Sequence, residues 1–115
     1  MTVRDLHFKQ EIRELTPLDA DYPERLRNIP DPPRTLYVRG SLPPDDRPTV
    51  AIIGARSASD YGLQVARSFG RVLAMQGIGI ISGMAAGIDS AGQWGAVDAE
   101  AKTYAVFGCG LNVCY

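Results

Sequence analysis

The sequence predicts an α/β domain built on half of a doubly wound parallel sheet, behind a Pro-rich N-terminal extension. Short β-branched apolar runs, "TVAIIG", "IGIIS" and "TYAVFG", alternate with two segments of helical period. Strands alternating with helices imply parallel β-α-β units with right-handed crossovers. Gly-containing loops follow each run, at the strand ends where open parallel sheets bind their ligands.

The first 48 residues hold every proline and most of the acidic side chains. Within them, "YPERLRNIPDPPRTLYVRG" predicts a short helix around Pro23–Asn28, a stiff turn at Pro30–Pro33 and a strand Leu36–Arg39. Pro23 suits the first helical position, whereas Pro32 and Pro33 cannot continue a helix. One helical turn and one strand cannot build a core. Residues 1–48 are therefore read as a strap packed on the main domain, residues 49–115.

"TVAIIG" has the composition of a strand buried on both faces. "DYGLQVARSFGRVLAMQG" follows with helical period, placing Leu63, Ala66, Phe69 and Leu73 on one face and Gln64, Arg67, Ser68 and Arg71 on another. Ser59 or Asp60 can cap its start, and Gly77 can end it. "IGIIS" is a second strand. "IDSAGQWGAVDAE" is a second helix, whose Ile88, Ala91, Gly92, Gly95 and Ala99 offer a small-residue face for close packing. "TYAVFG" is the third strand, and "GCGLNVCY" follows where another helix is due. Three strands with a bare edge predict a truncated polypeptide or one that needs a partner.

With 115 residues the chain makes one domain at most. No apolar run approaches the ~20 residues of a membrane span, and "MTVRDLHFKQE" lacks the apolar centre of a signal peptide. Cys109 and Cys114 are the only cysteines, too few for a zinc site or a disulfide framework, which points to a reducing cytoplasm. A net charge of −1 argues against a wholly basic nucleic-acid glove. It leaves room for a local anion site, because ten of the 12 basic residues are Arg.

The chemistry concentrates in "GARSASD", "SGMAAGID" and "GCGLNVCY". The first two lead into helix N-termini, where unpaired N–H groups and the dipole favour an anion. Arg56 stands two positions beyond a strand end among small neighbours. It either grips a phosphate with parallel hydrogen bonds or pairs at the surface with Asp60 or another carboxylate. Asp89 would repel a phosphate if it faced the loop; accepting backbone N–H bonds and fixing the loop shape suits it better. Trp94 and Tyr61 can stack on bases, although a Trp on a sheet-covering helix is usually packing.

Other chemistries find no support. There is no Walker loop, and "GCGLNV" lacks the third glycine of a dinucleotide site. The single histidine, His7, lies near the N-terminus, so no His-based triad or His-rich metal site can be built. No cofactor is expected. The residues by themselves lead to a phosphate-binding α/β half-domain.

Four segments in register, "DYPERLRNIPDPPRTLYVRG", "VAIIGARSASDYG", "SGMAAGID" and "GCGLNVCY", resemble the DNA-processing protein A (DprA/Smf) family from about Leu15 onward. The resemblance implies an extended Rossmann-like domain that binds single-stranded DNA through its backbone, without enzymatic activity. It also implies loading of the RecA recombinase during natural transformation, and a homodimer in the full-length protein. By position, Gly54, Arg56, Ser82 and Gly83 would meet phosphate, with Ser57 and Gly87 close by. Bare backbone admits a bulky polyanion, and Arg adds charge without reading sequence. The chain departs from the family where Gly92–Gln93 replaces the common Ala-His, and where Ala86 stands in place of a basic or large residue. The second half of the Rossmann-like domain is also absent from these residues. A competing expectation is a nucleotide-processing enzyme of the lysine-decarboxylase-like phosphoribohydrolase class, whose "PGGxGT" loop has no match here. A third is a truncated remnant without activity.

Overall fold

The structure is a computed structural model and describes residues 11–83 and 86–107. These divide into two compact units, residues 11–45 and residues 46–107.

In the first unit, β1 (Ile12–Leu15) pairs antiparallel with β2 (Leu36–Arg39), matching Leu15 to Leu36 and Arg13 to Val38. That register puts Leu15, Leu36 and Val38 on one face, where Leu15 and Val38 join the fully buried Tyr22 in a small core. Leu26 and Leu42 pack against it. Helix α1 (Glu24–Arg27) begins after Pro23, and the Glu24 N–H donates to the Asp45 carboxylate at 3.1 Å. The α1 turn and the strand Leu36–Arg39 fall where the sequence places them. The strand β1 has no counterpart in the sequence analysis, because only one of its four side chains is buried. With it, this segment has its own apolar cluster.

The second unit is a three-stranded parallel sheet in the order β3 (Thr49–Ala51), β4 (Gly79–Ser82), β5 (Thr103–Ala105). Val50 pairs with Ile80, and Ile80 with Thr103. The crossovers are α2 (Asp60–Met75) and α3 (Ile88–Asp98). Ser59 caps α2, its Oγ accepting from the Gly62 N–H at 3.1 Å. Gly77, at φ +81°, follows the end of α2 in the left-handed conformation that suits glycine.

The two helices lie against one another through glycine. A Cβ on Gly70 would collide with the Gly92 carbonyl, and one on Gly95 with the Arg67 carbonyl. Gly92 in turn rests on Ile52 of the segment after β3, a Cβ there falling 2.6 Å from Ile52 Cγ2. Around this seam sit Ala74, Ala96 and the fully buried Ile80. Removing an aliphatic side chain such as Ile80 from water stabilises a fold by roughly 1.5–3 kcal/mol.

Two expectations are corrected. Phe69 is 60% exposed, and the buried stripe of α2 runs Ala66, Gly70, Ala74. The helix seam leaves no space for an aromatic ring on that line. Burial of "TVAIIG" on both faces also fails: Ala51 is exposed and Ile53 is 72% exposed. Successive neighbouring strands joined by crossovers of one hand carry their helices on one side. A second helical layer needs the strand order to reverse, and the order β3-β4-β5 does not. The α/β class with a parallel sheet stands.

Candidate nucleic-acid interface

The first two loops at the carboxyl ends of the strands come together at Asp89. Its Oδ1 accepts from the Gly54 N–H at 3.0 Å, and its Oδ2 from the Gly83 N–H at 3.3 Å. One carboxylate in the first turn of α3 thus ties the end of β3 to the end of β4. Asp89 is only 7% exposed, so its charge is held by hydrogen bonds rather than by water. The loop-fixing role read for Asp89 in the sequence is the one it performs.

Two other buried polar side chains belong to the same layer. Ser82 Oγ donates to the Ile52 carbonyl at 2.6 Å, and Gln93 Nε2 donates to the Tyr104 carbonyl at 3.0 Å. Together, Ser82, Asp89 and Gln93 fasten all three strands near their carboxyl ends. The sequence offered no sign of the Gln93 tie. A Gln at mid-helix is ordinarily a surface residue, and only burial at the i+4 position from Asp89 gives it this task.

The glycines have separate explanations. A Cβ on Gly54 would fall 2.7 Å from Ile88 Cβ, so this glycine lets α3 approach the β3 end. Gly87 caps α3 at φ +87°, ψ −130°, outside the range open to other residues. A Cβ there would meet the Ala55 and Arg56 carbonyls. The Ala55 carbonyl also accepts from the Ile88 N–H at 3.2 Å. Gly83 is exposed, its Cβ position 3.2 Å from Asp89 Oδ2.

Arg56 and Ser57 lie exposed on the loop above this layer. Among the described residues Arg56 forms no ion pair or side-chain hydrogen bond, and Asp60 does not hold it. Ser82 lies beneath, 3% exposed, with its hydroxyl committed to Ile52. Of the expected site residues, Gly54, Arg56, Ser57 and Gly83 therefore reach the surface, Gly87 is half-buried and Ser82 lies buried. The third loop, "GCGLNVCY" with both cysteines, and Met84, Ala85 and His7 fall outside the described residues.

Two exposed aromatics adjoin these elements. Tyr61 in the first turn of α2 is 77% exposed, and Trp94 on α3 is 56% exposed, so packing does not claim that Trp. Elsewhere on the helices, Arg67 and Asp98 form a bidentate pair at 2.6 and 2.8 Å. The Arg67 hydrogen bond holds the Asp98 carboxyl below its ordinary range, and Asp98 raises Arg67. Among the described residues no three His, Cys, Asp or Glu side chains converge as metal ligands. No described helix is long and apolar enough to cross a membrane.

This arrangement has known counterparts. Residues 13–115 match the family model of the DNA recombination-mediator protein A. The chain is 38% identical to the Smf protein of Synechocystis, with 95% of this chain and 28% of that protein aligned. It is 37% identical to the DNA processing protein DprA of Streptococcus pneumoniae, covering 98% of this chain and 41% of that protein. The X-ray structure of the S. pneumoniae DprA superposes with a TM-score of 0.79 at 34% identity, over 96% of this chain and 40% of that one. DprA from Helicobacter pylori, whose solved structure concerns its single-stranded DNA binding mode, gives a TM-score of 0.73 at 31% identity, over 91% of this chain and 46% of that one. The chain thus spans less than half the length of these relatives. Its sheet, its glycine-bounded strand ends and its matched motifs have one common origin: the chain belongs to the DNA recombination-mediator protein A (DprA/Smf) family.

Proposed function

We propose that this chain contributes the single-stranded-DNA site of a DNA-processing protein that acts in natural transformation, holding the strand by its phosphates. The observation that carries the reading is the exposed Arg56 at the carboxyl end of the parallel sheet, with no carboxylate partner among the described residues. An unpaired guanidinium in water keeps its hydrogen-bonding fork for a phosphate. Ser57 flanks it, and Gly54 and Gly87 let α3 close against the loop that carries both residues. Contact through phosphates reads no sequence, which suits a protein that must accept any incoming strand. Support comes from the H. pylori relative, described as a single-stranded-DNA binder.

In the same reading the protein works in the cytoplasm as a homodimer, performs no chemistry on the strand and passes it to RecA. Fluorescence anisotropy with a labelled thymidine oligonucleotide over a salt series tests the site. Arg56→Ala should weaken binding by roughly tenfold or more and lower the salt slope by about one unit. Unchanged affinity and slope would remove Arg56 from the site.

A further inference from the structure

We infer that Asp89 makes this site selective for a strand over an isolated phosphate group. The inference rests on the reading of Arg56 as a DNA contact and concerns which phosphates can enter beside it. Anion sites at helix N-termini work by offering free N–H groups. Here four of the donors at the strand ends and helix starts are already in use. The Gly54 and Gly83 N–H groups go to the two oxygens of Asp89, the Ile88 N–H goes to the Ala55 carbonyl, and Ser59 Oγ takes the Gly62 N–H at the start of α2.

A small phosphate seeking the inner donors would have to displace a buried carboxylate and then lie beside it. Like charges that close, with little water between them, repel strongly. The Gly54 and Gly83 amides are therefore filled by the protein's own anion. Arg56 makes no contact with that carboxylate and lies exposed on the loop. A polyanionic strand can meet it from solvent without entering, and its neighbouring phosphates add contacts along the rim. Inorganic phosphate or a nucleoside monophosphate, shut out from the Gly54 and Gly83 amides, keeps only Arg56 and its loop to hold. The site thus fits a strand and not a mononucleotide, a chemical distinction that also separates it from nucleotide-processing enzymes.

Amide NMR on the intact protein tests this with inorganic phosphate, thymidine monophosphate and a thymidine oligonucleotide as probes. In the wild type, neither small probe should move the Gly54 and Gly83 amide signals at millimolar concentration, while the oligonucleotide binds. Asp89→Asn removes the charge and frees one of the two N–H groups. Phosphate should then shift that amide, with affinity raised roughly tenfold or more. Wild-type Gly54 or Gly83 signals that titrate with inorganic phosphate would overturn the inference, as would a folded Asp89→Asn protein without any gain. The wild-type titration stands even if that variant does not fold. If the oligonucleotide fails to bind while the small probes are still excluded, the DNA reading fails and the exclusion remains.

Discussion

The Tyr22 hydroxyl donates to the Pro33 carbonyl at 2.8 Å, joining the segment that leads into α1 to the proline turn that precedes β2. Tyr22 is 1% exposed and Arg27 stacks over its ring at 5.7 Å from the centroid. This bond converts a Pro-rich stretch into an ordered one. Tyr22→Phe should cost about 0.5–1.5 kcal/mol in urea unfolding, the usual net value of one such bond. Tyr22→Ala should cost about 3–5 kcal/mol, since it also removes the ring from the small core. Equal stabilities for wild type and Tyr22→Phe would mean that the hydroxyl bond contributes nothing net.

Gly70 and Gly77 separate two reasons for keeping glycine. Around Gly77 nothing lies within 4 Å of a built Cβ, so Gly77→Ala meets only the left-handed backbone, at roughly 1–2 kcal/mol. Gly77→Asn should recover part of that loss. Gly70 has no unusual φ, yet its Cβ would strike the Gly92 carbonyl. Gly70→Ala should therefore cost about 1–3 kcal/mol or more, because two helix backbones must separate. Thermal or urea unfolding of the three variants ranks them, and a milder effect at Gly70 than at Gly77 would contradict the seam.

Gly87 combines both reasons. It sits at φ +87°, and a Cβ would lie 2.5 Å from the Arg56 carbonyl oxygen. Gly87→Ala should destabilise the fold by at least about 1–3 kcal/mol and displace the loop that bears Arg56. Binding of the thymidine oligonucleotide should fall with it, even at temperatures where the variant remains folded. A folded variant with wild-type affinity would show that the loop geometry is not set at this position.

The Arg67–Asp98 pair gives a pH signature. Asp98 is held below its ordinary range, chiefly by the hydrogen bond from Arg67. A depressed carboxyl adds stability above its unfolded pKa and loses it as pH falls through the folded value. Asp98→Asn should thus be slightly less stable than wild type near neutrality and equal to it in acid. Because both side chains are partly exposed, the difference should shrink in high salt. Urea midpoints across pH and salt check this. A gap that widens in acid would reverse the sign.

The order of strands and helices in residues 49–105 is legible in the sequence because β-branched runs and helical period alternate there without ambiguity. Asp89 is legible as well, since a carboxylate one residue after a helix start has backbone donors within reach. Phe69 is not. Its period matches the buried face within one residue, and only the glycine seam decides which of the two adjacent positions is covered. Ile12–Leu15 escapes for a related reason: a strand with one buried side chain carries little apolar signal. Ser82 is expected near phosphate from the resemblance of its loop to the family's. Its hydroxyl turns inward because the Ile52 carbonyl, at the neighbouring strand end, needs a donor.

Helices normally meet through a layer of side chains that can change rotamer and let one slide over the other. Between α2 and α3 that layer is missing at Gly70 and Gly95. There is nothing to act as a bearing, so shear between the two helices is blocked and they can move only as one piece. Local motion in this unit must then arise in the loops at the sheet end, hinged against a rigid pair. Amide exchange should register it at residues 54–58, with the helix cores silent.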